Sequence, residues 1–210
     1  MMIREEQTAR DYVASLGDSD SQSRLQILEA ELRRENELQN LVARNSLEHF
    51  WQRHIADSAQ LLDHAEGSEG LWLDLGSGAG FPGLVIAALR PQVSVKLVES
   101  RKRRIDWLER MCEAMSLSNC AVLGSRLEQV EPLAAGVISA RAFAPLDRLL
   151  ALSARFSTSR TRWVLPKGRS AAQEVAALPK AGRKMFHVEQ SLTDDEAGIV
   201  VGTGKWSEKA

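Results

Sequence analysis

Several broad classes of protein are excluded by what this chain lacks. Only two of its 210 residues are cysteine, too few for a disulfide framework. Cys112 and Cys120 have no metal-ligand spacing, so both read as reduced packing residues and no metal site is expected. No window reaches the roughly 20 apolar residues that span a bilayer. The start, Met1-Met2-Ile3-Arg4-Glu5-Glu6, has no apolar signal core, which leaves the cytoplasm as the expected address. Repeats and low-complexity tracts are missing. Strong net charge is missing too, at −1 overall, but that figure hides an asymmetry. Residues 1–70 carry 7 Arg and no Lys against 14 acidic residues, and residues 71–210 carry 20 basic against 14 acidic. The second part is the better host for an anionic partner.

What the chain does have is Leu71-Trp72-Leu73-Asp74-Leu75-Gly76-Ser77-Gly78-Ala79-Gly80-Phe81-Pro82-Gly83. A short apolar run ends in an acid, and a loop with four glycines then opens an apolar helix. That order predicts a parallel strand, a tight turn and a helix N-terminus, where α/β folds hold nucleotide-like cofactors. Gly78-x-Gly80-x-x-Gly83 satisfies the dinucleotide fingerprint, so a nicotinamide oxidoreductase has to be weighed. Asp74 argues against it. A carboxylate facing the loop would repel a pyrophosphate but suits the ammonium and sulfonium of S-adenosylmethionine. Glu99 closes the next apolar run, Val93–Val98, and is placed for the hydroxyls of an adenosine ribose. The residues therefore favour a methyltransferase.

Length and patterning fit an α/β enzyme with a helical appendage. Before Gly67–Gly70 helices are predicted at about 4–16, 22–43 and 47–64, with Ser21 or Ser23 capping the second. After Gly70, strands are expected near 71–75, 93–98, 120–124, 136–140, 161–165, 184–191 and 198–203. Helices are expected at about 82–89, 101–116, 145–155 and 170–178. This alternation implies a doubly wound, mostly parallel sheet ending in an antiparallel edge hairpin, as in Rossmann-like class I methyltransferases. The expected organisation is a helical extension over residues 1–69, a catalytic domain over 70–206 and a frayed tail at 207–210.

The helical part carries a second motif, Phe50-Trp51-Gln52-Arg53-His54-Ile55-Ala56-Asp57-Ser58. At helical spacing Arg53, His54 and Asp57 cluster, and Asp57 can orient either neighbour. Together with Asn40-Leu41, the Asp74–Gly83 loop, Ser125-Arg126-Leu127-Glu128, Ala140–Leu146 and Pro166-Lys167-Gly168, the chain resembles the bacterial RsmG (GidB) family. The resemblance spans roughly residues 38–204. It implies methyl transfer from S-adenosyl-L-methionine to N7 of a guanine in 16S rRNA near the decoding centre. The implied partner is 16S rRNA, a 30S subunit or an assembly intermediate, and a monomer suffices.

Roles follow from that resemblance residue by residue. Asp74, Gly76, Ser77, Gly78, Gly80 and Phe81 fall on the cofactor loop, Glu99 on the ribose acid, Leu127 and Glu128 at the adenine. Arg141 is assigned to the cofactor carboxylate or to a phosphate, since a guanidinium matches either in bidentate fashion. Candidate RNA contacts are Arg53, His54, Arg103, Arg104, Arg126, Lys167 and Arg169. The run Arg101-Lys102-Arg103-Arg104 opposes the dipole of the helix it opens, and phosphate binding would favour it. Guanine N7 has a free lone pair and loses no proton on methylation, so no general base is expected. In agreement, there is no Asn-Pro-Pro-Tyr motif and no Cys placed for C5 attack. Phe143 and Trp51 are candidate stacking groups. A non-catalytic RNA-binding protein on a retained methyltransferase fold is the third reading, against which the intact loop stands.

Overall fold

In the computed structural model residues 2–207 are described. Helices α1 (Glu6–Leu16) and α2 (Ser19–Glu35) lead into the segment holding the Arg53-His54 motif. That segment contains a 3-10 turn at Arg44–Leu47, a π-type helical turn at Trp51–Ala56, and the short helices α3 (Asp57–Ala59) and α4 (Leu61–His64). The alternating part then runs β1 (Leu71–Leu75), α5 (Gly83–Leu89), β2 (Val95–Glu99), α6 (Lys102–Ala114), β3 (Cys120–Gly124), β4 (Ala135–Ser139), α7 (Leu146–Ser153), β5 (Arg162–Gly168), α8 (Ala171–Ala177), α9 (Lys180–Met185), β6 (Phe186–Gln190) and β7 (Gly198–Thr203).

The seven strands form one sheet in the order β3-β2-β1-β4-β5-β7-β6. The strands β1 to β5 pair in parallel, and β7 runs antiparallel to both β5 and β6. The order reverses between β1 and β4, so a crevice opens at their carboxyl ends, the place where open α/β sheets bind ligands. Strand alternation then sorts the side chains. Trp72 packs with α1, α2, α5 and α6 on one face, and Leu73 and Leu75 pack with Ile138, Leu149 and Trp163 on the other. Ile3, Val13, Leu25 and Trp51 belong to the same apolar cluster as Leu84 and Trp107, so the N-terminal helices complete the core on that face.

Four local expectations need correction. The second helix starts earlier because Asp18 is its cap, accepting from the Ser21 amide at 2.8 Å. It stops at Glu35 because the Asn36 side chain offers the following backbone another partner, accepting from the amides of Leu41 (2.9 Å) and Val42 (3.0 Å). The single helix predicted at 47–64 is divided, since the Glu6 carboxylate takes the amides of Trp51 (3.0 Å) and Gln52 (2.9 Å) at the head of the π turn. Such turns are rare and concentrate at functional sites. The domain end expected at 206 is docked through Trp206, which is 7% exposed and donates its amide to Ser157 Oγ; of the tail expected at 207–210, Ser207 is exposed and residues 208–210 lie outside the described residues. Helix α9 was not foreseen, because Gly182 and the lysines around it hide a helix of six residues.

Candidate active site

Asp74 and Ser139 face each other across β1 and β4 in the sheet register. Both are fully buried. Trp72 Nε1 donates to Ser139 Oγ at 2.8 Å, and Ser139 Oγ donates to Asp74 Oδ1 at 2.8 Å. An indole can only donate, so the polarity of this relay is fixed. Asp74 Oδ2 accepts from the Gly83 amide at 3.3 Å. Asp74 thus points inward and ties the loop to the sheet, where the sequence suggested a carboxylate turned towards a ligand. Burial pushes its pKa up to about 6.

The loop is shaped by two close approaches. A Cβ at Gly83 would lie 2.1 Å from Leu97 Cδ2, and one at Gly76, which has φ +65°, would lie 2.4 Å from Phe143 Cδ2. Only glycine fits at either place. Ser77 is turned inward, donating Oγ to the Asp74 carbonyl and its amide to the Val98 carbonyl. Gly80 packs on Leu84, and Phe81 is 3% exposed. These three residues build the loop from within.

Glu99 accepts from the Ser100 and Arg101 amides at Oε1 (2.7 and 2.9 Å) and from the Gly78 amide at Oε2 (3.1 Å). Arg104 Nη1 lies 3.8 Å from Oε2. With three of about four lone-pair positions used by main-chain donors, one is left for a ligand hydroxyl. Glu99, Gly76, Ser125 and Leu127 line a cavity of about 230 Å³. Glu128 is exposed and outside that lining.

A larger cavity of about 760 Å³ adjoins it, sharing Ala142 and Phe143 as a wall. Its floor is built from the π-type turn. Arg141 Nη1 reaches Asp57 Oδ2 at 3.5 Å and the Arg53 carbonyl at 3.4 Å, and Arg141 Nη2 lies 3.4 Å from His54 Nδ1. The guanidinium sits 4.9 Å from the centroid of Phe81, and the His54 ring stacks on the same phenyl at 4.9 Å. A guanidinium only donates, so Nδ1 of His54 accepts and its proton is on Nε2, directed at Ser46 Oγ 2.8 Å away. Burial, helped by Arg141 and Arg53, lowers the His54 pKa to about 3.

The expected RNA contacts separate into two groups. Arg103 and Arg126 are exposed and make no ion pair among the described residues; Arg53 and Arg169 are exposed beside Asp194 and Glu196. Two expectations fail on burial. His54 is 6% exposed with both ring nitrogens engaged. Lys167 has a side chain 8% exposed, held 3.0 Å from Glu174 Oε2. His54 presents no free donor, and the Lys167 ammonium is held inward by the Ala144 carbonyl and Glu174 rather than at the surface. Of the stacking candidates, Trp51 is buried with Nε1 donating to Glu29, while Phe143 walls both cavities. Sequence reasoning missed Ser46, Ser139 and the 191–194 segment. Each meets the site only through tertiary contact, and nothing local marks it.

The strand order with antiparallel β7, the glycine loop after β1 and the acid ending β2 define the fold of class I methyltransferases. A solved structure of the human methyltransferase 10 domain containing protein shares it, with TM-score 0.55 and 13% identity over 71% of this chain and 80% of that one. The family described as GidB, rRNA small subunit methyltransferase G, matches residues 21–197, and the chain belongs to it. Among relatives, the ribosomal RNA small subunit methyltransferase G of Erythrobacter litoralis is 60% identical over 97% of this chain and 99% of its own length. That of Novosphingobium aromaticivorans is 58% identical over 88% and 81%. Family membership sets aside the oxidoreductase reading.

Proposed function

We propose that this protein transfers a methyl group from S-adenosyl-L-methionine to N7 of a guanine in 16S rRNA, acting in the cytoplasm on the rRNA or a small-subunit particle. The observation that carries this reading is the pair of adjoining cavities on either side of Phe143, one beside Glu99 and the other above Arg141. The residues fit a nucleoside-bearing cofactor in the smaller one. Glu99 keeps one acceptor position there, its carboxylate held in place by the amides of Gly78, Ser100 and Arg101. S-adenosyl-L-methionine supplies an electrophilic methyl group when bound.

The protein's own part is positioning. Arg141 is fixed from three sides by Asp57, His54 Nδ1 and the Arg53 carbonyl. It is a cation presented to a carboxylate or phosphate that enters the larger cavity, which Arg53 also lines. Phe143 offers a ring against which a base can stack, and N7 lies too deep in a paired RNA groove to be methylated unless its base is unstacked. No side chain is required to remove a proton. Rate enhancement comes from alignment and from electrostatic support of the positive charge that the base acquires. The exposed Arg53, Arg103, Arg126 and Arg169 supply the phosphate contacts. Residues 1–69 act with the catalytic part as one folded unit, since they line the larger cavity through Ser46, Arg53 and Asp57.

The test is methyl transfer from labelled S-adenosyl-L-methionine to 30S subunits that lack guanine-N7 methylation, followed by N7-selective cleavage. One new cleavage in 16S rRNA is expected. Cofactor binding without incorporation would leave the fold and remove the substrate.

A further inference from the structure

The larger cavity is lined by three carboxylates, Asp57, Glu174 and Asp194. Asp57 is engaged on both oxygens, with Oδ1 accepting from Thr193 Oγ1 (2.8 Å) and Gln60 Nε2 (2.9 Å), and Oδ2 facing Arg141 at 3.5 Å. Glu174 takes the Leu146 amide and Lys167 on Oε2 and Ser170 Oγ on Oε1. Asp194 differs. Oδ1 accepts the Glu196 amide at 3.0 Å, while Oδ2 has only Arg53 Nη1 at 3.6 Å, beyond hydrogen-bond distance. Of the three it holds the most acceptor capacity that the protein leaves unused.

The backbone that presents it is fixed. The Leu192 amide donates to Gln60 Oε1 at 2.7 Å, the Thr193 carbonyl accepts from Gln52 Nε2 at 3.1 Å, and the Asp194 carbonyl accepts from Gln190 Nε2 at 3.1 Å. A preorganised acceptor at the wall of an acceptor cavity selects a ligand edge that carries donors. Guanine with its N7 free for reaction still has N1–H and the N2 amino group, two adjacent donors that match one carboxylate. Adenine presents a bare N1 lone pair there and is repelled.

We propose that Asp194 selects guanine, its carboxylate accepting from N1–H and N2–H of the target base; this rests on the guanine-N7 reading above. The same contact assists the reaction. Methylation places positive charge on the purine ring and strengthens both donors, so the carboxylate is worth more in the transition state than in the bound substrate. Arg53 Nη1 lies 3.6 Å from Asp194 Oδ2, and its exposed outer side is left for a phosphate.

The test compares initial rates on unmethylated 30S subunits reconstituted with guanosine or inosine at the target position, since inosine keeps N1–H and O6 but lacks the N2 amine. The unaltered protein is expected to favour guanosine by about 10- to 100-fold, the usual worth of one hydrogen bond to a charged acceptor. Asp194→Asn should lower kcat/KM on guanosine by a similar factor, mostly through kcat, and bring the guanosine-to-inosine ratio near one. Calorimetry should show its S-adenosylmethionine affinity unchanged. An Asp194→Asn protein that keeps the parent's ratio overturns the proposal, and so does an unaltered protein that methylates inosine as fast as guanosine. Failure of the unaltered protein to methylate N7 on any subunit overturns the activity reading itself, and this inference with it.

Discussion

Replacing Ser139 by alanine removes one oxygen and should break two buried partnerships at once. Trp72, Asp74 and Ser139 are each at most 2% exposed, and the relay among them has one possible direction. Asp74 Oδ1 would lose its hydroxyl donor, a hydrogen bond to a charged acceptor worth about 1.5–3 kcal/mol. The Trp72 indole N–H would be left without an acceptor, at about 1–3 kcal/mol. These losses overlap, so Ser139→Ala is expected to cost about 2–4 kcal/mol in urea unfolding at pH 7. Trp72→Phe alone should cost about 1 kcal/mol. In the double variant the orphaned N–H no longer exists, and the total should fall short of the sum by about 1–2 kcal/mol. Because Asp74 Oδ2 holds the Gly83 amide, Ser139→Ala should also weaken S-adenosylmethionine binding in calorimetry. Additivity of the two substitutions within about 0.5 kcal/mol would refute the relay.

Other outcomes are accessible to simple assays. His54 titrates near 3 in the folded protein against its ordinary 6.5, so stability present above pH 6.5 is lost as pH falls, by about 1.4 kcal/mol per unit. Asp74, raised to about 6, works the other way, losing stability as pH rises from about 4 to 6. The two cancel in that window, so urea midpoints should be flat there for the parent and should rise on acidification for His54→Gln; identical profiles would refute the assignment. Glu6→Ala strips the carboxylate from the Trp51 and Gln52 amides and should cost about 1–2 kcal/mol of unfolding free energy. Arg103→Ala should reduce the salt slope of rRNA binding by about one without changing cofactor affinity. Arg104→Ala, beside Glu99, should instead weaken cofactor binding, and the reverse pattern would exchange their roles.

The periodic part of the chain was readable in advance because its signals are local. An apolar run of five residues between turn formers predicts β1 or β3 whatever surrounds it, and β1, β3 and β7 were placed to the residue. The glycine loop was legible for the same reason, since positive φ and close approach can be met only by glycine. Failures occurred where one residue's conformation depends on another far along the chain. Glu6 reshapes the turn at Trp51, 45 residues away, and no window on either segment contains both. Asp74 was read as a ligand because its chain position permits that, and the sheet register with Ser139 turned it inward. His54 and Lys167 have the composition of polyanion contacts, and burial beside Arg141 and Glu174 removed them from that role. No local signal marks Asp194, and packing of Gln60 and Gln52 against residues 192–193 brings it to the acceptor cavity. Sequence alone therefore determined the order of the elements and the loop chemistry, which arise from nearest-neighbour sterics and hydrophobic period. Tertiary structure decided which charges are spent on the protein and which remain for a ligand, because that depends on partners brought together only by the fold.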